Sequence, residues 1–194
     1  MRANSLGRFV LRVIAWLPLT FACWYLAAPL FVWPVAVLSE IVTRNAFGDL
    51  VKTVEQNGPL LNFITSLRPG QATSGAKTVL EVECNVLLFT FGLPMLAALI
   101  LAAREPHRVR HLLIGYAVLL PLQTFSVVAD FLKNAAILAG PAVASQIGFT
   151  SLQREAIAFS YQFGTLILPT VAPAVVWVLM HRRFLESFAG REGE

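Results

Sequence analysis

VLEVECNVLLFTFGLPMLAALILAA, residues 79–103, is the stretch that decides the fold. Its first residues, through Glu83, alternate apolar and acidic side chains, which is typical of a strand with one buried face. From Val86 to Ala103 there is no charge for 18 residues, about the length that crosses a bilayer. The stretch therefore predicts a water-facing strand followed by a membrane helix, with Cys84 and Asn85 at the boundary.

The composition agrees with a membrane protein. The 194 residues, one domain by length, are 57% hydrophobic and 13% charged, whereas soluble domains carry about 25% charged residues. Mean hydropathy is +0.68. The net charge of +4 lies mostly in short tails and one loop, and aromatic residues do not alternate with the basic ones. We therefore expect membrane lipid around the chain and no nucleic-acid partner.

The first predicted span follows a basic start. Arg2, Arg8 and Arg12 precede an uncharged run over 13–39. A cleaved signal peptide has this pattern too, but bulky Phe21 and the long apolar run favour an uncleaved helix. Its exit is predicted near Pro29 to Pro34, among Trp24, Tyr25 and Trp33, and the apolar spacing of 35–46 predicts a short amphipathic helix on the membrane surface.

Residues 40–85 predict a small extracytoplasmic β-subdomain. Two runs rich in strand formers, 50–55 and 60–67, flank Asn57-Gly58, a strong hairpin signal. A loop from Pro69 to Gly75 then leads to the strand that ends at Asn85. About three antiparallel strands are expected, too few to bury a core without the membrane helices or a partner.

Three further spans are predicted, at 86–103, 112–129 and 156–180. The fold class is therefore membrane α-helical, with four transmembrane helices and the β-subdomain between helices 1 and 2. The predicted divisions are 1–39, 40–85 and 86–194, the last with a basic loop over 104–111, an extracytoplasmic connector over 130–155 that is broken at Gly140-Pro141, and a C-terminal tail.

The basic residues predict the orientation. The N-terminal tail, the 104–111 loop and the C-terminal tail hold three each, nine of the 15 lysines and arginines. Such residues concentrate in short cytoplasmic segments. We therefore expect a multi-pass protein of the bacterial inner membrane with both termini in the cytoplasm and the sheet outside.

Polar residues within the spans are candidate contacts for a partner, because they are costly there and often functional. With this topology five of them fall at the outer side of the membrane: Asn85, Gln123, Asp130, Tyr161 and Gln162. Together they predict either a binding groove or internal hydrogen bonds that fix the bundle. Asp130 is also spaced to pair with Lys133 one turn on.

Catalysis has little support. A cysteine enzyme needs a thiolate beside a basic group. Cys84 has a suitable depth, but the predicted topology puts His107, His111 and His181 on the opposite side. Cys23 and Cys84 form no metal-binding pattern, so we predict no enzyme, cofactor or metal.

Several short motifs resemble the exosortase H-associated membrane proteins over most of the chain. They are Trp24-Tyr25, Asn57-Gly58, Glu81-Val-Glu-Cys-Asn85, Phe91-Gly-Leu-Pro94, and Tyr161-Gln-Phe-Gly-Thr-Leu-Ile-Leu-Pro169 with Ala172-Pro173 and Trp177. The resemblance implies an accessory to an exosortase, a multi-span, transpeptidase-like enzyme that acts on exported proteins with a C-terminal sorting signal. The chain lacks an exosortase's own Cys/Arg/His arrangement. A structural subunit of another envelope complex and a membrane enzyme using Cys84 remain alternatives.

Overall fold

The computed structural model describes residues 4–68 and 79–182, and it is mostly helical. The predicted loop from Pro69 to Gly75 and the C-terminal tail beyond Arg182 lie outside the described residues. The elements in chain order are α1 Asn4–Leu26, α2 Ala28–Phe47, β1 Val51–Asn57, β2 Leu60–Thr65, β3 Glu81–Asn85, α3 Leu87–Thr90, α4 Gly92–Ala103, α5 Arg108–Lys133, α6 Pro141–Ile147, α7 Ser151–Gln162 and α8 Leu168–Met180. Two π-helical segments, Asn134–Leu138 and Phe163–Ile167, extend α5 and join α7 to α8.

Four helices of the described chain are long and apolar enough to cross a membrane: Leu6–Leu26, Ala28–Phe47, Arg108–Leu138 and Ser151–Met180. Three of them correspond to predicted spans, whereas the fourth, α2, was not predicted as a span. The predicted second span corresponds to Leu87–Ala103, a shorter apolar helix that is interrupted by a turn at Phe91.

The predicted first span is divided at Ala27, which was not expected. The Ala27 amide donates to the Cys23 carbonyl at 3.0 Å, and the Phe31 amide donates to the Ala27 carbonyl at 3.4 Å. Helical bonding thus continues through a kink, next to Pro29, which lacks an N–H. Antiparallel helices need a loop of 2–5 residues. The single residue between α1 and α2 therefore does not reverse the chain.

The helix predicted over 35–46 is present, but as the second half of the longer helix α2 and not as a separate short helix, and its place on the membrane surface stays a prediction. Val32, Val35 and Ser39 are fully buried, whereas Ile41 and Val42 are exposed. The reason is tertiary: α2 packs against β1 and α5, which cover the side of the helix that carries the smaller residues.

The three-stranded antiparallel sheet is confirmed, with the order β1-β2-β3. Gly58 takes a left-handed φ of +59° in the hairpin turn, a conformation that favours glycine. One face of the sheet buries Leu61, Phe63 and Val82 against α2 and α5. The Phe63 ring stacks on Phe131 of α5, with centroids 4.4 Å apart. The sheet and the C-terminal half of α5 therefore share one core.

A second apolar cluster holds the other half of the bundle together, between α1, α4, α5 and α8. At its end, Phe9 near the start of α1 stacks on Trp177 of α8, with centroids 5.4 Å apart. The His111 and His181 rings are 4.9 Å apart. The start of α1, the α4–α5 turn and the end of α8 thus lie together at one end, which we call the basic end.

We expect Gly92→Ala to destabilise the bundle. A Cβ at Gly92 would lie 2.6 Å from both the Pro169 carbonyl oxygen and Pro173 Cγ. Relieving such overpacking costs roughly 1–3 kcal/mol. Thermal unfolding in detergent should show a lower Tm. The matched control is Gly7→Ala in α1, where nothing lies within 4 Å of the added Cβ, so its Tm should be unchanged or higher.

Candidate functional site

The centre of the candidate site is an ion pair on α5. The Asp130 side chain is 10% exposed and that of Lys133 is 18% exposed. Lys133 Nζ donates to Asp130 Oδ1 at 2.9 Å, and Asn134 Nδ2 donates to the same oxygen at 3.3 Å. The three residues are spaced i, i+3 and i+4, so they share one face of the helix. The predicted pairing of Asp130 with Lys133 is confirmed.

Tyr161 of α7 joins this pair through the lysine. Lys133 Nζ lies 3.7 Å from the centroid of the Tyr161 ring. A cation over an aromatic face is attracted by the negative charge of the ring, more strongly where water is excluded. The contact therefore links α7 to α5 and helps to neutralise a partly buried ammonium group.

Cys84 of β3 lies beside Asp130. Its side chain is fully buried and forms no disulfide. Burial raises the pKa of the thiol, and the negative charge of Asp130 and a hydrogen bond to it raise the pKa further. The thiol consequently stays protonated at neutral pH and is a poor nucleophile. We call Cys84, Asp130, Lys133, Asn134 and Tyr161 the Asp130 cluster.

Gln123 is buried elsewhere, two turns of α5 away from Asp130. Its Oε1 is enclosed and has no hydrogen-bond partner among residues 4–68 and 79–182. It lines a cavity of about 10 Å³ together with Gly92, Ser126, Pro169 and Pro173, enough for about one water molecule. Gln123 therefore belongs to the contact between α4, α5 and α8 and not to the Asp130 cluster.

Asn85 and Gln162 lie at the surface. Asn85 is exposed at the end of β3, and its Oδ1 accepts a hydrogen bond from the Leu87 amide at 3.1 Å, at the start of α3. Gln162 is exposed at the end of α7. Of the five predicted residues, Asp130 and Tyr161 thus lie together in one cluster. Gln123 is buried at a different place, and the remaining two, Asn85 and Gln162, are exposed.

The contacts of Asn134 and Ser126 are among the polar contacts that were missed from the sequence. Asn134 follows Asp130 at the i+4 spacing, so its bond to the carboxylate was recognisable in principle. Ser126 had no such signal: its Oγ donates to the Gly164 carbonyl at 2.9 Å, and a Cβ at Gly164 would lie 3.0 Å from Ser126. This close approach of α5 to the π segment depends on small residues far apart in the chain.

Another group of polar side chains lies at the basic end. Within the described ranges, Glu105, His111 and His181 form a set in which one ligand atom from each residue lies within 4.8 Å of the others. His111 and Asp130 are 19 residues apart on α5, about 28 Å along the helix. The two clusters are therefore separate.

A family model described as exosortase H-associated membrane protein matches residues 3–184, most of the chain. Neither the curated proteins nor the solved structures contain a match.

Breaking the Asp130–Lys133 pair should destabilise the protein. Asp130→Asn leaves a partly buried ammonium without its counter-ion, which we expect to lower the free energy of unfolding by roughly 1–3 kcal/mol. Adding Lys133→Met should recover part of this loss. Glu40→Gln is the control, because its pair with Arg44 is far more exposed, and exposed pairs contribute about 0–1 kcal/mol. The free energy of unfolding of the unaltered protein and the three variants is measured by denaturant titration. Equal losses for Asp130→Asn and Glu40→Gln would contradict a stabilising role of the Asp130–Lys133 pair.

Cys84 should be unreactive in the folded protein. A maleimide should leave Cys84 unmodified until denaturant is added, as read by mass spectrometry of the peptide that contains it. Because the pKa is raised by folding, the folded state keeps the proton that the unfolded chain releases. The free energy of unfolding should therefore fall as the pH rises above the ordinary thiol value of about 8.5. Cys84→Ala should reduce that fall, and an unchanged pH dependence in this variant would contradict the cause given.

Proposed function

The chain belongs to the exosortase H-associated membrane proteins, and from this we propose that it is a non-enzymatic accessory of an exosortase-type protein-sorting system in the bacterial inner membrane. The family match over residues 3–184 is the observation that carries the proposal. The partner is then a multi-span membrane enzyme, and the role of this chain is to bind it or to position it.

The proposed topology puts the basic end in the cytoplasm and the sheet in the periplasm. Short arginine-rich segments favour the cytoplasmic side. The contacts of Phe9 with Trp177 and of His111 with His181 bring the start of α1, the α4–α5 turn and the end of α8 to one end. The membrane is then crossed by α1, α3–α4, α5 and α7–α8. α2 does not reverse the direction of α1 and packs on β1, so we place it with the sheet.

One proposed crossing is short. Leu87–Ala103 spans about 25 Å at 1.5 Å per residue, less than the roughly 30 Å hydrocarbon core. A short segment is accommodated by thinning of the bilayer or by association with other helices. This segment packs on α1, α5 and α8, and α1 shields it from lipid on one side.

The chemistry of the Asp130 cluster supports the proposal that the chain is not an enzyme. Its charged groups are paired with each other, and its thiol is buried and held protonated. Such a cluster ties α5 to β3 and α7 and offers no thiolate. Of the two explanations that the sequence left open, we therefore assign Asp130 and Tyr161 to internal hydrogen bonding and packing.

The proposed contact surface is the outer face of the sheet, with the two exposed amides. The strand register aligns Glu55, Asn62 and Glu83 in one row across this face, and Asn57, Leu60 and Asn85 in the next. β3 is an edge strand among the described strands, so a partner could extend the sheet by strand addition. Gln162 supplies a second polar contact from α7.

Co-purification tests the contact surface. The chain and the exosortase from the same genome are co-expressed, and the exosortase captured with each variant is quantified. We expect Asn85→Leu and Gln162→Leu each to reduce capture several-fold at equal membrane levels. Asn45→Leu, at an exposed amide of α2, is the matched control and should leave capture unchanged. Unchanged capture in both test variants would contradict the proposed surface, and no capture by the unaltered chain would contradict the accessory role.

A sorting assay tests the non-enzymatic role. Cys84→Ala should leave processing of a reporter with a C-terminal sorting signal intact, because the thiol is not a nucleophile. Loss of processing with normal capture of the exosortase would instead support an enzyme that uses Cys84.

A further inference from the structure

Two histidines and a carboxylate meet at the basic end. Glu105 lies in the α4–α5 turn, His111 in the first turn of α5, and His181 at the end of α8. One ligand atom from each lies within 4.8 Å of the other two. Glu105 and His111 are only six residues apart, but His181 is distant in the chain, so its meeting with them is not a consequence of local helical spacing.

His181 is oriented as a metal ligand. Its ring is 1% exposed, and Nδ1 lies 3.0 Å from the Trp177 carbonyl oxygen. A carbonyl can only accept, so Nδ1 carries the hydrogen and Nε2 of the neutral ring presents a lone pair. Metal-bound histidines usually donate their other N–H to a carbonyl or carboxylate in this way, which fixes the ring and makes it more basic.

The free nitrogen of His181 faces the carboxylate. Nε2 is enclosed and makes no hydrogen bond to any residue of the described chain, while Glu105 Oε2 lies 3.6 Å away. A lone pair and a carboxylate oxygen at this distance repel each other unless a cation lies between them. An enclosed polar atom without a partner is costly, so a ligand at this point would relieve that cost.

His111 adds a second enclosed nitrogen. Its ring meets that of His181 edge to face, at 4.9 Å and 75°, and its Nδ1 also has no partner among residues 4–68 and 79–182. The Trp177 ring stacks on the His181 ring, with centroids 5.4 Å apart and an angle of 19° between the planes, and this contact holds His181 in place. One nitrogen of each imidazole and one carboxylate oxygen thus lie within 4.8 Å of one another, and each ring has an enclosed nitrogen without a partner in the described chain.

We propose that Glu105, His111 and His181 bind a divalent transition-metal ion, for which zinc is the best fit. Imidazole and carboxylate are ligands that zinc accepts, and a His₂Glu set occurs in zinc sites with one position left for water. The ion would join the α4–α5 turn to the end of α8. The negative end of the α8 dipole attracts a cation there. This attraction is opposed by the positive charges of Arg104, Arg108, Arg110 and Arg182, which are close to the three ligands in the sequence.

The rival explanation is a proton in place of the metal. A doubly protonated His181 could pair with Glu105 across the same 3.6 Å. It would not engage His111, whereas a metal needs all three side chains. The two explanations therefore differ in stoichiometric metal binding and in the effect of His111.

Zinc titration of the full-length chain tests the site. The protein is purified in detergent through a tag without histidine, and zinc binding is measured by competition with a chromophoric chelator. We expect one ion per chain, a raised Tm with zinc, and a tetrahedral visible spectrum with cobalt. His111→Ala, Glu105→Gln and His181→Gln should each weaken zinc binding by more than the roughly 10- to 100-fold that loss of an outer-shell partner costs.

His107→Ala is the matched control, because it is the remaining histidine of the chain and lies exposed in the same turn. It should bind zinc as the unaltered protein does. Glu105→Gln preserves the shape of an accessible side chain, so its result does not depend on how buried His181 tolerates substitution. Equal zinc binding in His107→Ala and Glu105→Gln, or a zinc-dependent Tm that survives in His111→Ala, would overturn the proposal, as would an unaltered protein that binds no zinc.

Discussion

The sheet depends on α5 for its core. Three short strands bury too little apolar surface to be stable alone, and β-structure needs a partner layer on its apolar face. Here that layer is made by α2 and α5, and the stacking of Phe63 on Phe131 is at its centre. The hairpin and the third strand are therefore held in place by helices that lie before and after them in the chain.

This dependence explains why the polar residues of α5 lie where they do. Asp130 lies near β3, and its carboxylate lies beside the thiol of Cys84. A carboxylate at the margin of an apolar core requires compensation, and Lys133, Asn134 and Tyr161 provide it. The Asp130 cluster can thus be understood as the polar boundary of the core between the sheet and α5.

The same helix connects both ends of the molecule. Near its start, Gly115 lets Leu96 of α4 approach closely, and His111 meets His181 of α8. Near its C-terminal end, α5 packs against the sheet. α5 is therefore the element against which the other helices and the sheet are placed, and a change in its rotation would alter both clusters together.

Much of this was accessible from sequence, and the differences have specific causes. Asn57-Gly58 and the alternation through Glu83 predicted the sheet correctly, because turn chemistry and period-2 patterning act locally. The uncharged runs predicted three of the four membrane-length helices, and the fourth, α2, was not predicted as a span. The division at Ala27 was missed because Pro29 and Pro34 were taken to end the helix, whereas Pro29 kinks it and Pro34 is accommodated within α2. The pairing of Asp130 with Lys133 was predictable since both lie on one turn, but no local pattern shows that Tyr161 covers the lysine.

The sequence by itself determined which segments are apolar, where the chain turns into strands, and which ends are basic, because these follow from composition and from short-range periodicity. Only the tertiary structure decided that α2 packs on the sheet, that Asn85 and Gln162 stay exposed while Asp130 is buried, and that Glu105, His111 and His181 meet. The physical reason is that these outcomes depend on which helix faces touch, and side chains that are distant in the chain settle those contacts by shape and by the pairing of buried polar groups.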